Sequence, residues 1–503
     1  MTLPMPRLRR RAQQAATAVP VAFAIAVLLG GCASTHGLAP ATTPMDADSL
    51  LARRSLAGDG AATFPTLAWW QAFGDPQLDA LVAEALSGTP SLQAADARTR
   101  QARAQAGLAD AMRKPTLGLG AQYTGVQLPE TMVEPPAGGE FKASTVLMLD
   151  FKYAPDLWGG KRAKYQAAVG HARAAEVDAQ AARLTLAANV ASAYIGLGQA
   201  FDALDVANDE QARASQLAGL ARQRVAAGLD NQLQLRRSEA MGAGAQQQAR
   251  AARQQVDALR NALAALLGKG PDRGLDIQRP HLHATTPGMP AALPSELLGH
   301  RADVVAARWR VEAAARGVDA STASFRPSID LNAIVGLAAP DLGDLFGADA
   351  LLGFGGPALS LPIFDGGGLR SRLAKSDADY DLAVAAYDQA LVGALREVAD
   401  ALQAMRSLDA QLSAATRARD AAQSAWRIAS DRHAAGLGNQ LDVLAAQQPL
   451  LQYDRQLAAL RAQRLQAAVD LDRALGGGLA LPVVPSDSTP SDRSDHLAQA
   501  PTP

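Results

Sequence analysis

Hydrophobic side chains recur along this chain with two different spacings. In four stretches of about ten residues, apolar side chains alternate with small or polar ones, which is the period of a β-strand. Between these stretches, apolar side chains recur at steps of three and four, which is the period of an amphipathic helix. The predicted strands lie at about 116–128, 144–155, 328–338 and 354–364. The two patterns together predict a mainly α protein with a small β part.

The longest helical patterns cover 160–227 and 369–435. Each carries a heptad seam, formed by Leu186, Val190, Ala193, Leu197, Ala200 and Leu204 in the first and by Leu391, Leu395, Val398, Leu402, Met405 and Leu412 in the second. At 1.5 Å per residue, each of these helices is a rod of roughly 100 Å. A return helix is predicted after each rod, the first at 231–267.

Each rod ends in a hairpin turn, and the two turns are copies of each other. Residues 432–443 (tip 2) repeat residues 224–235 (tip 1) without a gap, and both contain Arg-x-x-x-Gly-Leu followed by Asn. Gly tolerates the left-handed backbone that ends a helix, so Gly228 and Gly436 are expected to have positive φ. The Asn caps the next helix. A repeat of this size predicts a duplicated half-protein.

The duplication organises most of the chain. The first repeat is predicted at 65–270 and the second at 294–476, joined by a Pro-, Gly- and His-rich connector at 271–293. Each repeat contains a helix, two strands and a long helical hairpin. The aromatic content is only 4%, and the abundant Ala favours helices. Residues 477–503 are rich in Pro, Ser and Asp and are predicted to be disordered.

Residues 1–31 have the organisation of a bacterial export signal, because Arg residues precede an apolar run too short to span a membrane. The run ends in Leu-Gly-Gly-Cys, which resembles a lipobox, so Cys32 is predicted to be the acylated N-terminus. An ordinary secretory signal with a coincidental Cys is the alternative. The residue after Cys32 is Ala33 rather than Asp, which is similar to lipoproteins that are sorted to the outer membrane. Residues 32–64 are predicted to be a lipidated tether. Cys32 is the only Cys, which excludes an intrachain disulfide.

The predicted strands have the length of transmembrane β-strands. An open sheet in lipid would leave backbone groups unpaired at its edges, and single-chain barrels begin at about eight strands. Several copies must therefore pool their strands, and three copies supply twelve. The alternative is that the strand pairs pack on soluble domains and never meet lipid. The lipobox favours the membrane interpretation.

Two further motifs carry a family resemblance. Trp-Trp-Gln-Ala-Phe-Gly-Asp-Pro-Gln-Leu at 69–78, Leu-Pro-Ile-Phe-Asp-Gly-Gly at 361–367 and the paired tips resemble the TolC-like outer-membrane efflux family. The lipobox points to its nodulation-type efflux lipoprotein subgroup. The resemblance covers about 65–476. It departs from the family at His300-Arg301-Ala302-Asp303, where Arg-Arg-Pro-Asp is usual, and at Pro449, which predicts a local kink in the last helix.

The resemblance implies a homotrimer in which a twelve-stranded barrel in outer-membrane lipid continues into a periplasmic α-helical barrel. Such a channel is the exit duct of a tripartite pump. It works with a periplasmic adaptor (membrane fusion) protein and, as its energy source, an inner-membrane transporter of the resistance-nodulation-division type. Two other functions stay open: the outer-membrane component of a one-step protein secretion system, and a lipid-anchored periplasmic coiled-coil scaffold.

The resemblance places the adaptor-docking residues at the tips, namely Arg224, Gly228, Leu229, Arg432, Gly436 and Leu437. It also gives Asp442 a role at the periplasmic gate, where threefold copies would ring the entrance. The neighbouring acidic position of the family is Ala445 here, so any ring is single. The alternative is that Asp442 only completes the N-terminal cap of its helix.

No catalytic chemistry is predicted. The chain lacks a Gly-x-x-x-x-Gly-Lys-Ser/Thr phosphate loop, a His-Glu-x-x-His motif and a Gly-x-Ser-x-Gly motif. His281 and His283 lie close together but lack further obvious ligands, so a surface pair is expected rather than a metal site. No cofactor is expected. The 48 basic and 49 acidic residues nearly cancel, which gives no sign of a nucleic-acid partner.

Overall fold

The computed structural model describes residues 34–35, 37–46, 49–50, 64–135, 138–283 and 299–479. The predicted signal peptide and Cys32 lie outside the described residues, as do most of the predicted tether, part of the connector and the tail from residue 480. Within the described part of the chain, no helix is both long enough and apolar enough to cross a membrane.

The elements follow the same order twice. In chain order they are a 3-10 turn at Trp69–Phe73, α1 (Pro76–Leu86), α2 (Pro90–Ala111), β1 (Thr116–Gln127), β2 (Phe141–Tyr153), α3 (Gly160–Ala226), α4 (Gln232–Leu266), the short α5 (Asp272–Leu275), α6 (Ala302–Ala323), β3 (Ser328–Ala339), a 3-10 turn at Ala348–Ala350, β4 (Leu351–Ser360), α7 (Gly368–Ala434) and α8 (Gln440–Ala474). The long helices α3 and α7 have 67 residues each, and the return helices α4 and α8 have 35 each. The predicted mainly α fold with a small sheet is confirmed.

The four strands form one antiparallel sheet in the order β1-β2-β3-β4. The middle pair, β2 and β3, joins the two halves of the chain, and β1 and β4 lie at the edges. The register aligns Leu119 with Leu149, Leu149 with Val335, and Val335 with Gly353. Residues directly opposite each other in a sheet project from the same face. The register therefore decides which side chains share a face.

One face of the sheet is apolar and exposed (the apolar face). Its members are Leu117, Leu119, Tyr123, Leu149, Phe151, Val335, Leu351 and Leu359, whose exposed fractions run from 36% to 74%. The opposite face is mixed: it carries polar residues, including Gln122, an Asp150–Lys152 ion pair and Asn332, together with apolar ones such as Phe354. A sheet with one mainly apolar face and one more polar face is suited to separating lipid from water.

The last strand is shifted from its predicted position. It runs from Leu351 to Ser360 rather than over about 354–364, so Leu361 and Ile363 lie beyond it. Pro362 has no N–H to donate to a neighbouring strand, which explains the earlier end. Likewise β2 begins at Phe141, before the predicted 144, because its pairing with β1 continues to Gln127.

Each long helix is flanked by two shorter helices placed end to end. A Cβ on Gly268, just after α4, would lie 3.0 Å from Cδ of Pro90, the first residue of α2. The end of α8 meets the start of α6 in the same way, and Arg301 there donates a hydrogen bond to the Ala474 carbonyl at 3.1 Å. Helix α8 continues through Pro449, so this Pro does not end the helix; the predicted kink stays a prediction.

The main core lies where α1 and the first 3-10 turn pack on α3, and the connector is fastened there. Its fully buried members include Phe73, Leu78, Tyr194 and Leu197. The Asp75 Oδ2 atom accepts hydrogen bonds from the Tyr194 hydroxyl and from the backbone N–H of His281, both at 2.8 Å. Burial raises the pKa of Tyr194, so its hydroxyl stays a donor. The 69–78 motif is therefore a structural joint.

Candidate functional site at the hairpin tips

Both tips end their long helix in the same backbone turn. Gly228 has φ of 69° and Gly436 has φ of 71°, which confirms the predicted left-handed conformation. The N–H of Leu229 donates to the Arg224 carbonyl at 2.8 Å, and the N–H of Leu437 donates to the Arg432 carbonyl at the same distance. This is the Schellman arrangement, in which the residue after the Gly pairs with the last turn of the helix.

The return helices begin with the same cap. Asn231 and Asn439 both have φ of −110° and ψ of 164°. The Asn231 side chain accepts a hydrogen bond from the N–H of Gln234, and the Asn439 side chain accepts one from the N–H of Asp442. In tip 2 the Asp442 Oδ2 atom also accepts from the N–H of Asn439 at 3.1 Å, which completes a capping box. The predicted capping role of Asp442 is confirmed; its role at a gate stays a prediction.

The side chains that brace the two turns differ. In tip 1, Nε of Arg224 pairs with Oδ2 of Asp230 at 3.3 Å, and Oδ1 of Asp230 accepts the N–H of Asn231 at 2.9 Å. Tip 2 has Gly438 in place of that Asp. There, Arg432 donates from Nη2 to the Leu437 carbonyl at 3.2 Å. An internal ion pair therefore braces tip 1, and hydrogen bonds to backbone carbonyls brace tip 2.

His433 is a second brace in tip 2, and sequence reasoning missed both it and Asp230. The Nδ1 atom of His433 lies 3.3 Å from the Gly438 carbonyl, and Nδ1 donates to this carbonyl when it carries a proton. The corresponding residue of tip 1 is Val225, which has no polar side-chain atom. The signal was present in the sequence as two of the four mismatches between the copies, Val225 against His433 and Asp230 against Gly438.

Each tip exposes a pair of leucines four residues apart in the sequence. Leu229 and Leu437, predicted docking residues, are 68% and 70% exposed. Leu233 and Leu441, which lie in the first turn of the return helices, are also exposed. Apolar side chains that project from the end of a helical hairpin are suited to contact with another protein. Sequence reasoning placed the first leucine of each pair at the site and missed the second.

Tip 2 is also tied to the other hairpin. Arg213 of α3 is only 3% exposed and donates from Nη1 to the Leu444 carbonyl of α8 at 3.3 Å. The same guanidinium pairs with Glu210 at 2.6 Å, which compensates the buried charge and raises the pKa of Arg213 further above its usual range. The first turns of α8 are thus held against α3. Sequence reasoning missed this link because the two residues are far apart in the chain.

The arrangement of sheet, rods and tips has a counterpart among known proteins. The family model described as outer membrane efflux protein matches residues 81–269 and 293–477, one segment in each half. The chain belongs to the outer membrane efflux protein family. The predicted family is therefore confirmed, and the family is one of channels rather than enzymes. Membership in the nodulation-type subgroup stays a prediction.

Individual relatives agree with this membership. The fusaric acid resistance protein FusA of Burkholderia cepacia is 38% identical over 363 residues, which is 71% of this chain and 68% of that protein. The multidrug resistance outer membrane protein MdtP of Escherichia coli (strain K12) is 31% identical over 431 residues, 84% of this chain and 88% of that one. Among solved structures, the outer membrane protein VceC of Vibrio cholerae superposes with a TM-score of 0.74 at 36% identity, covering 82% of this chain and all of VceC.

Proposed function

We propose that this chain is the exit duct of a tripartite efflux pump and passively conducts small molecules from the periplasm to the exterior. The observation that carries the proposal is the sheet. Its four strands have one mainly apolar, exposed face and one more polar face, its two edges are unpaired among the described residues, and each half continues into a helical rod. The names of its relatives, which include fusaric acid and multidrug resistance proteins, support small toxic compounds as cargo.

The edges of the sheet support a homotrimer. Among the residues that the structure describes, none pairs with the outer side of β1 or of β4. In lipid each unpaired backbone group costs several kcal/mol, so the edges need partners. Joining β4 of one copy to β1 of the next closes a barrel of twelve strands when three copies combine. The apolar face then meets lipid and the polar face lines the passage.

The rods give the channel its periplasmic part. Helices of 67 residues extend roughly 100 Å, so the tips stand far from the sheet. The exposed leucine pairs at the tips would then dock a periplasmic adaptor and, through it, an inner-membrane transporter of the resistance-nodulation-division type. In a trimer, three copies of Asp442 would stand around the entrance at tip 2, where a ring of carboxylates favours cations. Acylation of Cys32 would add a lipid anchor to the barrel.

The apolar face provides the test. Leu119→Arg places a charge on the lipid-facing side, which costs about 2–4 kcal/mol near the middle of a bilayer. We expect this variant to lose heat-stable insertion into outer membranes. Gln122→Arg, on the opposite face of the same strand, is the matched control and should insert normally.

The assembly is measured on the same preparations. The detergent-solubilised protein should have the mass of three chains. A Cys32→Ser variant exported with a cleavable signal should still fractionate with outer membranes, because the barrel inserts independently of the lipid. Recovery of that variant as a soluble periplasmic monomer would refute the channel and favour the scaffold.

A further inference from the structure

Helix α7 binds the N-terminal segment of the chain through two of its carboxylates. Asp381 accepts hydrogen bonds from three donors: its Oδ1 atom lies 3.0 Å from the N–H of Ala41, 2.9 Å from the N–H of Thr42 and 2.7 Å from the Thr42 hydroxyl. Two turns further along, the Asp388 Oδ1 atom accepts the N–H of Met45 at 2.8 Å. These backbone contacts hold residues 41–45, which we name the clamped segment, along the rod.

The spacing of the two carboxylates matches the spacing of the amides. Seven residues of helix rise about 10 Å, and the three residues from Thr42 to Met45 span about 10 Å in an extended chain. Helix and segment therefore stay in step over the whole contact. The three donors on Asp381 stabilise its ionised form, and the pKa of this carboxyl is lowered, chiefly by the Thr42 hydroxyl. This match between the carboxylate spacing and the amide spacing distinguishes the contact from an incidental one.

The segment runs in a defined direction. Before the clamped segment, the Ser34 carbonyl accepts a hydrogen bond from Nη1 of Arg370 at 2.7 Å. Arg370 lies in the first turn of α7, next to the end of β4, whereas Asp388 lies further toward tip 2. From Met45 back to Ser34, the N-terminal segment therefore runs along α7 toward the sheet. Two residues of extended chain span at most about 7 Å, which bounds the distance from Ser34 to Cys32.

We propose that Asp381 and Asp388 form a clamp that fixes the tether of the lipid anchor on α7 and sets the height of Cys32 at the periplasmic rim of the barrel. The part of the proposal that concerns height rests on the proposed function, since it assumes an acylated Cys32 and a barrel in the membrane.

The test uses the full-length protein in detergent and a spin label at Thr43→Cys, an exposed position inside the clamped segment. Cys32 is the only native Cys, so an acylated chain takes up one label and an unacylated chain takes up two. In the otherwise native protein we expect one immobilised label and slow exchange of the amides of Ala41, Thr42 and Met45. In Asp381→Ala/Asp388→Ala the label should become mobile, and these amides should exchange faster by about tenfold or more.

Asp379→Ala is the matched control. Asp379 is an acidic residue of the same helix, and its carboxylate pairs with Lys375 rather than with the N-terminal segment. This variant should leave the label immobile and the amides protected. Equal mobility of the label in the native protein and in the double variant would overturn the clamp. Uptake of two labels would instead refute the lipid anchor, and the clamp would then be measured in the Cys32→Ser background.

The height of the anchor is measured separately, with a quencher carried on lipid headgroups in reconstituted membranes. A fluorophore at Thr43→Cys should be quenched to a single, well-defined extent in the native protein. Loss of the clamp should change the extent of quenching or spread it over a wider range of values. If quenching is the same with and without the clamp while the label becomes mobile, the clamp holds the tether but does not set the height.

Discussion

Tip 1 and tip 2 have the same backbone, with φ of the turn glycines within a few degrees and identical cap dihedrals, yet they are braced differently. An ion pair inside the loop braces tip 1. Backbone carbonyls and a complete capping box brace tip 2, and Arg213 ties its return helix to the other hairpin. The comparison shows that the duplicated turn tolerates new side-chain contacts as long as the Gly and the Asn caps remain. Tip 1 is self-contained, whereas the position of tip 2 depends on its neighbour.

The largest effect is expected where the two tips are alike. Gly228→Val and Gly436→Val force a β-branched residue into positive φ, which costs about 1–3 kcal/mol and distorts the turn. Each variant should keep near-normal trimer abundance in the membrane but lose adaptor cross-linking and efflux, measured as drug susceptibility. Gly219→Val in α3 is the control, because a Cβ there meets nothing within 4 Å. Intact efflux in both tip variants would show that the tips are not the docking surface.

The next prediction separates the tips. Arg213→Ala removes a buried guanidinium and leaves the Leu444 carbonyl without this donor, which should cost about 2 kcal/mol of stability. Arg213 contacts α8 and not α4, so its loss should make tip 2 more mobile and leave tip 1 unchanged. We therefore expect single-channel conductance to rise. Planar-bilayer recordings together with thermal unfolding measure both effects. Arg222→Ala, on the same helix but exposed and paired with Glu239 of α4, is the control and should leave conductance unchanged.

Asp442→Ala tests whether the cap of tip 2 is also a gate. Loss of the cap alone predicts a drop of about 1 kcal/mol in stability. A gate predicts in addition a changed conductance and a weaker preference for cations. Gln234→Ala, the same position in tip 1, has no carboxylate to lose and should change neither conductance nor selectivity.

The smallest effect concerns the brace of tip 1. Its ion pair is partly exposed, with 39% of the Arg224 side chain and 21% of the Asp230 side chain accessible. Such pairs contribute up to about 1 kcal/mol and weaken with salt. Adaptor cross-linking through tip 1 should therefore decline with salt in the native protein and lose this dependence in Arg224→Ala. In Arg432→Ala the salt dependence should remain, since that Arg binds a neutral carbonyl.

The features that the sequence predicts correctly are governed by local physics. A Gly that ends a helix and an Asn that begins one act within a few residues, so the positive φ of Gly228 and Gly436 and the cap of Asp442 were predictable. The heptad seams similarly predicted the rods, and Val190, Leu197 and Val398 are fully buried in them. Alternation predicted strands but located the ends of β4 incorrectly, because the pattern continues into Leu361 and Ile363 while pairing stops before Pro362.

The remaining features depend on contacts between distant parts of the chain. Alternation in a single strand does not show which residues of four strands share a face; the register that aligns Leu119 with Leu149 and Val335 decides that. The Arg213–Leu444 and Asp381–Thr42 contacts join segments with no sequence relationship. Neither periodicity nor motif spacing contains the information that these residues meet.

The end-to-end placement of the short helices constrains how the chain can change in length. A rod in α3 or α7 is matched by two shorter helices that meet near Gly268 in one half and near Gly476 in the other. An insertion in the rod alone would separate the two short helices where their ends meet. An insertion in one short helix alone would force those ends into a steric clash. In the proposed trimer, which would contain six hairpins, one altered hairpin would also leave its tip above or below the others. Insertions and deletions among relatives are therefore expected in the strand loops and at the two joints, and changes within the rods are expected in matched pairs.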